Sequence, residues 1–164
     1  MRGYIKKIAV MVCTCMLMCF CTACGPATEM TFTESDFSIT LNSHFEKMTD
    51  PRGYVYKDKK AVVVAGKDSK QKIKDANINI TSLNRYAILA LKSYEGADNA
   101  FVRDGLNHSY CEFTGTSNGV PTSFYAAFYE TETDYWLVLF GCETAEYQNY
   151  QPQFANWAST VTVK

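Results

Sequence analysis

The side chains able to do chemistry are few and scattered. His44 and His108 are the only two imidazoles in a chain of 164 residues, far apart and without a His/Cys/Asp/Glu cluster at the spacing zinc requires. His108 has Cys111 and Glu112 nearby, but alternation along a strand sends 108 and 112 to one face and 111 to the other. Both histidines therefore read as surface or strand-edge residues. Nucleophilic catalysis needs a Ser or Cys beside a base and an oxyanion site. No G-x-S-x-G elbow exists, and Gly115-Thr116-Ser117-Asn118-Gly119 reads as a hairpin tip. Neither a G-x-G-x-x-G nor a Walker sequence is present to cradle phosphate. The expectation is a protein that is not an enzyme, with no catalytic residue, no metal and no cofactor.

Charged clusters carry weaker signals. Glu130, Glu132 and Asp134 gather at one turn and could meet a cation, but they lack the D-x-D-x-D-G order and distal Glu of a calcium hand. A solvated acidic hairpin is the preferred reading. Lys57, Lys59, Lys60, Lys67, Lys70, Lys72 and Lys74 crowd one stretch, diluted by Asp58, Asp68 and Asp75. A solvated edge, where lysine discourages strand pairing, is preferred there to contact with anionic headgroups or cell-wall polymer. A formal net charge of −1 argues against nucleic acid, because neutralising several phosphates takes a clear Lys/Arg excess. Most of the 10 Phe, 11 Tyr and 2 Trp residues fall on predicted core positions. Tyr54, Tyr56, Tyr110, Tyr125 and Tyr129 stay open between core and an exposed platform for sugar stacking.

Five of the seven cysteines lie within the first 24 residues, MRGYIKKIAVMVCTCMLMCFCTAC. Arg2, Lys6 and Lys7 form a basic start, and residues 8–23 are an uncharged apolar run ending in small residues, the pattern of a secretory signal peptide. The run is short of the roughly 20 residues of a bilayer span, which makes a retained anchor helix the lesser alternative. The exit Cys21-Thr22-Ala23-Cys24 resembles the lipobox of bacterial lipoproteins, whose cysteine receives a diacylglycerol thioether. Thr22, Ala23 and Gly25 match that pattern, and Cys21 stands where an aliphatic residue is usual. Cutting before Cys21 or Cys19 would leave Phe20 or Met18 at the cleavage edge, so Cys24 is the candidate lipidation residue; an ordinary thiol after a secretory signal is the alternative. The resemblance implies a protein anchored to the extracytoplasmic face of a bacterial cell membrane. The reading divides the chain into a signal peptide (1–23), a lipid-anchored tether (24–31) and a globular domain (32–164).

Loss of residues 1–23 removes three cations, leaving 13 basic against 17 acidic side chains, and a length able to enclose one core. Residues 37–41, Phe-Ser-Ile-Thr-Leu, alternate with the period of a half-buried strand. Residues 53–56 and 61–65 predict a hairpin around Lys57-Asp58-Lys59-Lys60, after a turn at Asp50-Pro51-Arg52-Gly53. Over 82–94, Leu83, Tyr86, Ala87, Ala90 and Tyr94 recur at helical spacing, with Thr81 or Ser82 as N-cap and Gly96 beyond the end. Strands follow at about 108–115, 122–131 and 135–143. Asn118-Gly119 closes the first pair, and Tyr135-Trp136-Leu137-Val138-Leu139-Phe140 is apolar on both faces, as a covered central strand must be. Cys111 and Cys142 then sit two strands apart, about 9 to 10 Å at the usual strand spacing. A disulfide needs Cα atoms within about 7 Å, so both read as packing residues, with one bridge the alternative. The last helix lies within 144–160, broken at Pro152, before a short strand at 161–163.

This order of elements resembles the PsbP-like fold, an antiparallel sheet flanked by helices in an α+β sandwich. The fold is shared by photosystem II extrinsic subunits, Ran-binding nuclear relatives and many small bacterial lipoproteins. Residues 37–41 as opener, 135–140 as central strand and Tyr150-Gln151-Pro152-Gln153-Phe154 in the last helix carry the likeness. It implies a fold rather than a role. The expected function is a non-enzymatic binding or interaction module, anchored to the membrane through lipid, for a protein or envelope component. The alternative is a small-ligand receptor or enzyme with a pocket between sheet and helix.

Overall fold

In the computed structural model, which describes residues 27–164 apart from 52, 99 and 106, the alternating opener is strand β2 (Phe37–Asn42). Its Phe37, Ile39 and Leu41 are buried between half-exposed neighbours. β2 pairs antiparallel with β1 (Glu29–Thr33) on one edge and β10 (Thr162–Val163) on the other, making a separate three-stranded sheet. β1 is held on the fold by Phe32, which packs on Tyr56 at 4.8 Å, and by Thr31, which bonds Thr40 across the ladder.

The larger sheet comprises β3 (Glu46–Asp50), β4 (Gly53–Lys57), β5 (Ala61–Ser69), β6 (Arg103–Asp104), β7 (Ser109–Ser117), β8 (Val120–Glu130) and β9 (Asp134–Glu143). Their order is β3-β4-β5-β9-β8-β7-β6, antiparallel throughout. β9, the strand apolar on both faces, is central as its composition requires. Asn118 (φ 51°) and Gly119 (φ 81°) make the turn between β7 and β8, the pair of positive φ values that matches the twist of a hairpin.

Helices are α1 (Lys70–Asp75), α2 (Leu83–Leu91) and α3 (Tyr147–Ser159), the last preceded by a 3-10 turn at Thr144–Glu146. α3 and the small sheet cover one face of the large sheet, joining Phe37, Ile39, Tyr56, Val63, Trp136, Phe140 and Phe154 in one core. α2 covers part of the other face, where Tyr86, Ala87 and Leu91 meet Cys111, Phe128 and Leu139. Each large side chain so buried stabilises the fold by about 1.5–3 kcal/mol. Ser82 caps α2 by accepting from the Arg85 N–H at 3.2 Å.

α3 corrects the break placed at Pro152: the helix runs through it. The proline forfeits only the bond to the Gln148 carbonyl. Fully buried Phe154, ringed by Phe140, Tyr150 and Trp157 at 5.4–5.9 Å, holds the helix on course.

Candidate functional site

β5 is longer than its apolar run. β4 pairs with it only from Lys57↔Val62 to Tyr54↔Ala65, whereas β9 pairs with it as far as Asp134↔Ser69. β4 ends at Gly53, which lies against the Ala65 carbonyl and Gly66, and residues 67–69 continue along β9, with a cavity on each side of the sheet.

On the face toward the small sheet, a cavity of about 320 Å³ is lined by Asp36, Asp50, Tyr54, Lys67 and Trp136, with Pro51 and Gly53 at its rim. Trp136 stacks within 24° of Phe37 at 5.6 Å and within 12° of Tyr54 at 6.4 Å. The Tyr54 hydroxyl donates to Asp36 at 2.6 Å, and the Lys67 ammonium lies 2.9 Å from the other Asp36 oxygen, 3.3 Å from Asp134 and 5.4 Å from the Trp136 ring centre. The hydrogen bonds from Tyr54 and Lys67 hold the Asp36 carboxyl below the usual carboxylate range. The same bonds push the Tyr54 phenol and the Lys67 ammonium up. Trp136 is 1% exposed, and its indole N–H has no acceptor. A buried donor left so costs about 1–3 kcal/mol.

On the other face, a cavity of about 440 Å³ opens between α2 and the sheet, walled by Val64, Tyr86, Ala90, Tyr94, Leu137 and Leu139 with Asp68 and Ser93. The Tyr86 hydroxyl donates to Asp68 at 2.9 Å while its ring stacks on Tyr135 at 4.7 Å. Burial, with the Asp68 charge beside it, drives the Tyr86 phenol far above its ordinary range. Gly66 and Lys67 line both cavities.

The candidates named from sequence are distributed otherwise. Cys24 lies outside the described residues. His44 is exposed. His108 is half-buried rather than on the surface, its Nε2 3.2 Å from the Tyr125 hydroxyl and its Nδ1 2.7 Å from the Asn107 side-chain oxygen, with its ring 5.3 Å from Tyr129. Burial lowers its pKa. Glu112 accepts from Tyr147 at 2.7 Å and Gln151 at 3.4 Å, which ties its carboxylate to α3.

Cys111 and Cys142 are free, buried and on strands separated by β8. They belong to opposite cores, and burial pushes their thiols up to about 12 and about 11. Glu130 pairs with Lys70 at 2.6 Å, and Asp134 with Lys67. Among the described residues, no three His, Cys, Asp or Glu side chains converge on a metal position. Of the five tyrosines left open, Tyr56, Tyr125 and Tyr129 are buried, and Tyr54 and Tyr110 half-buried, so they form no solvent-facing row. The cleft residues were missed because Asp36, Tyr54, Lys67 and Trp136 come from four separate elements. One signal was available: Gly66, a glycine extending an apolar strand, marks a place of close approach.

This arrangement of layers is the PsbP-like α+β fold. A solution structure of cyanobacterial PsbP (CyanoP) from Synechocystis superposes with a TM-score of 0.59 at 11% identity, over 90% of this chain and 99% of that one. A crystal structure of LpqN of Mycobacterium tuberculosis, a protein involved in cell envelope biogenesis, gives a TM-score of 0.50 at 10% identity, over 85% and 92%. No family model and no curated protein matches the sequence.

Proposed function

We propose that the protein is a membrane-anchored, extracytoplasmic binding module that holds a protein or envelope component without chemical turnover. The observation that carries this reading is the cleft around Gly66 and Lys67, where cavities of about 440 and 320 Å³ lie on the two faces of the sheet and share both residues. Supporting the anchor are the basic start, apolar run and small exit pair before Cys24. The first strand begins at Glu29, so a lipid on Cys24 would keep the domain within about 17 Å of extended chain from the membrane surface. The likeness to LpqN, described as involved in cell envelope biogenesis, supports an extracytoplasmic setting. Against turnover stand thiols with raised pKa values and a histidine held between Asn107 and Tyr125. A small-ligand receptor is the second reading, favoured by the cavity between α2 and the sheet.

The test uses native cells fed labelled fatty acid. The wild type is expected to take up label and sediment with membranes, whereas Cys24→Ser does neither. A Cys24→Ser protein that stays membrane-bound to the same extent would overturn the anchor.

A further inference from the structure

We infer that the apolar face of β3, β4 and β5 on the α2 side is a docking floor for one amphipathic helix of a partner protein, laid beside α2. The inference rests on the binding reading above and names the partner's chemistry.

Successive residues of a strand point to opposite faces, and the two faces of β5 fare differently. Val63 and Ala65 are fully buried in the core under α3 and the small sheet, whereas Val62 and Val64, on the α2 side, are only half-buried. Register carries this second face outward: Leu139 of β9 stands opposite Val64, Val64 opposite Val55, and Val55 opposite Met48. Leu139 is 8% exposed and belongs to the α2 core. Met48 is 47% exposed, and Met48, Val55, Val62 and Val64 belong to neither core. The buried side chains of α2 meet β7, β8 and β9, and among the described residues no side chain of β3, β4 or β5 joins them. One helix about 10 Å across leaves most of seven strands at about 4.8 Å spacing uncovered.

The footprint decides the occupant. Three strands and the five residues of β3 span about 14 by 17 Å, or about 240 Å². Each partner gives about 800 Å² to a standard interface, so the floor is too small for the globular face of a second copy. It matches one helix of about 11 residues, about 17 Å long. Glu46 opposite Lys57 closes one end of the floor with charges of both signs, so the contact is apolar rather than steered by charge. The floor also has a wall. Tyr86 and Ala90 of α2, with Ser93 and Tyr94 after it, stand beside Val64 around the cavity of about 440 Å³, and Gly66 puts no side chain at its base. A helix in this corner meets apolar surface on its underside and on one flank, which calls for anchors at i, i+3, i+4 and i+7. One bulky apolar anchor would fill the cavity, the kind of desolvated pocket that carries most of an interface's energy.

The experiment places the photocrosslinker p-benzoylphenylalanine at Met48 of the full chain in native cells, with the same group at Thr49, on the opposite face of β3, as the control. After irradiation, cross-linked peptides are sequenced by mass spectrometry. Met48 is expected to capture a segment of another protein with apolar residues at helical spacing, at about tenfold the yield from Thr49. Val55→Lys, which puts a charge in the floor, and Ser93→Trp, which fills the cavity, should each cut that yield about tenfold with unchanged circular dichroism. Should Val55→Lys unfold, Ser93→Trp carries the test. Capture of a second copy, of residues 1–26 of the same chain or of lipid overturns the inference. So does an equal yield at Thr49, a captured segment without helical spacing, an undiminished yield in the folded variants, or no capture. Fatty-acid label at Cys24 is read on the same cells. Label without a captured helix removes the docking floor and leaves the anchor, while a captured helix without label does the reverse.

Discussion

Replacing Trp136 by phenylalanine separates the two things this residue does, filling a core and burying a donor. The indole is 1% exposed, stacked against Phe37 and Tyr54, and its N–H meets no acceptor. Phenylalanine keeps a ring under the Lys67 ammonium but withdraws about 40 Å³, which at about 24 cal/mol per Å³ costs about 1 kcal/mol. The apolar area no longer buried adds about 1 kcal/mol. Against this, the substitution removes an unsatisfied donor whose burial costs about 1–3 kcal/mol. The terms nearly cancel, so Trp136→Phe should stay within about 1 kcal/mol of the wild type, while Trp136→Ala loses about 3–5 kcal/mol. Urea denaturation followed by circular dichroism measures both, and Trp157 remains as the single indole for a fluorescence check. A loss for Trp136→Phe approaching that of Trp136→Ala would mean that the N–H is satisfied within the protein.

Two further outcomes test the fold around the site. His108 has a folded pKa depressed by burial, so its contribution to stability is complete above the unfolded value of about 6.5 and is lost as pH falls from there toward the folded value. His108→Gln should flatten the fall in urea midpoint between pH 7.5 and about 5.5, and an unchanged slope would show that other groups set it. Gly96 and Gly119 share a φ of 81°, but a Cβ at 96 would run into the Thr114 carbonyl whereas nothing lies near 119. Gly119→Ala should cost about 1–2 kcal/mol for the left-handed backbone alone. Gly96→Ala should cost about 3 kcal/mol or more, and equal losses would refute the close packing of this loop on β7.

What the sequence discloses about this fold is what local chemistry decides. β9 is apolar on both faces, Asn118-Gly119 supplies positive φ, and Ser82 stands one residue before a helical stripe. Each needs only neighbours in the chain, and each appears where expected. The separation of Cys111 from Cys142 follows once those hairpins are placed. The missed elements depend on partners distant in sequence. Polar β3 is a strand only because β4 lies beside it. The residues Gly66-Lys67-Asp68-Ser69 lie past the strand expected at 61–65, yet they are held extended by β9. Pro152 reads as a break because the packing that overrides it comes from Phe140 on another element. The site is less legible than the fold for the same reason, since no spacing rule joins Asp36, Tyr54, Lys67 and Trp136.

The strand register also bears on the anchor. β1 begins at Glu29 opposite Asn42, and after three intervening residues the chain enters β3 at Glu46 opposite Lys57. The tether and the Lys57-Asp58-Lys59-Lys60 turn thus share one end of the molecule. The cleft lies at the other end, bordered by Asp36 before β2 and by the β3–β4 turn, with Ala61 to Gly66 of β5 between, about 17 Å at full extension. A lipid on Cys24 would therefore point the cleft away from the bilayer, where a partner can reach it. At the tether end, Lys60 is paired with Glu146 at 2.9 Å, and Asp58 accepts from the backbone N–H groups of Lys60 and Ala61. Glu29 and Glu46 oppose what positive charge remains. Such a surface adds little electrostatic attraction to anionic headgroups. A single acyl chain without a polybasic patch binds membranes only marginally, so a lipid anchor at this end would need two or more chains.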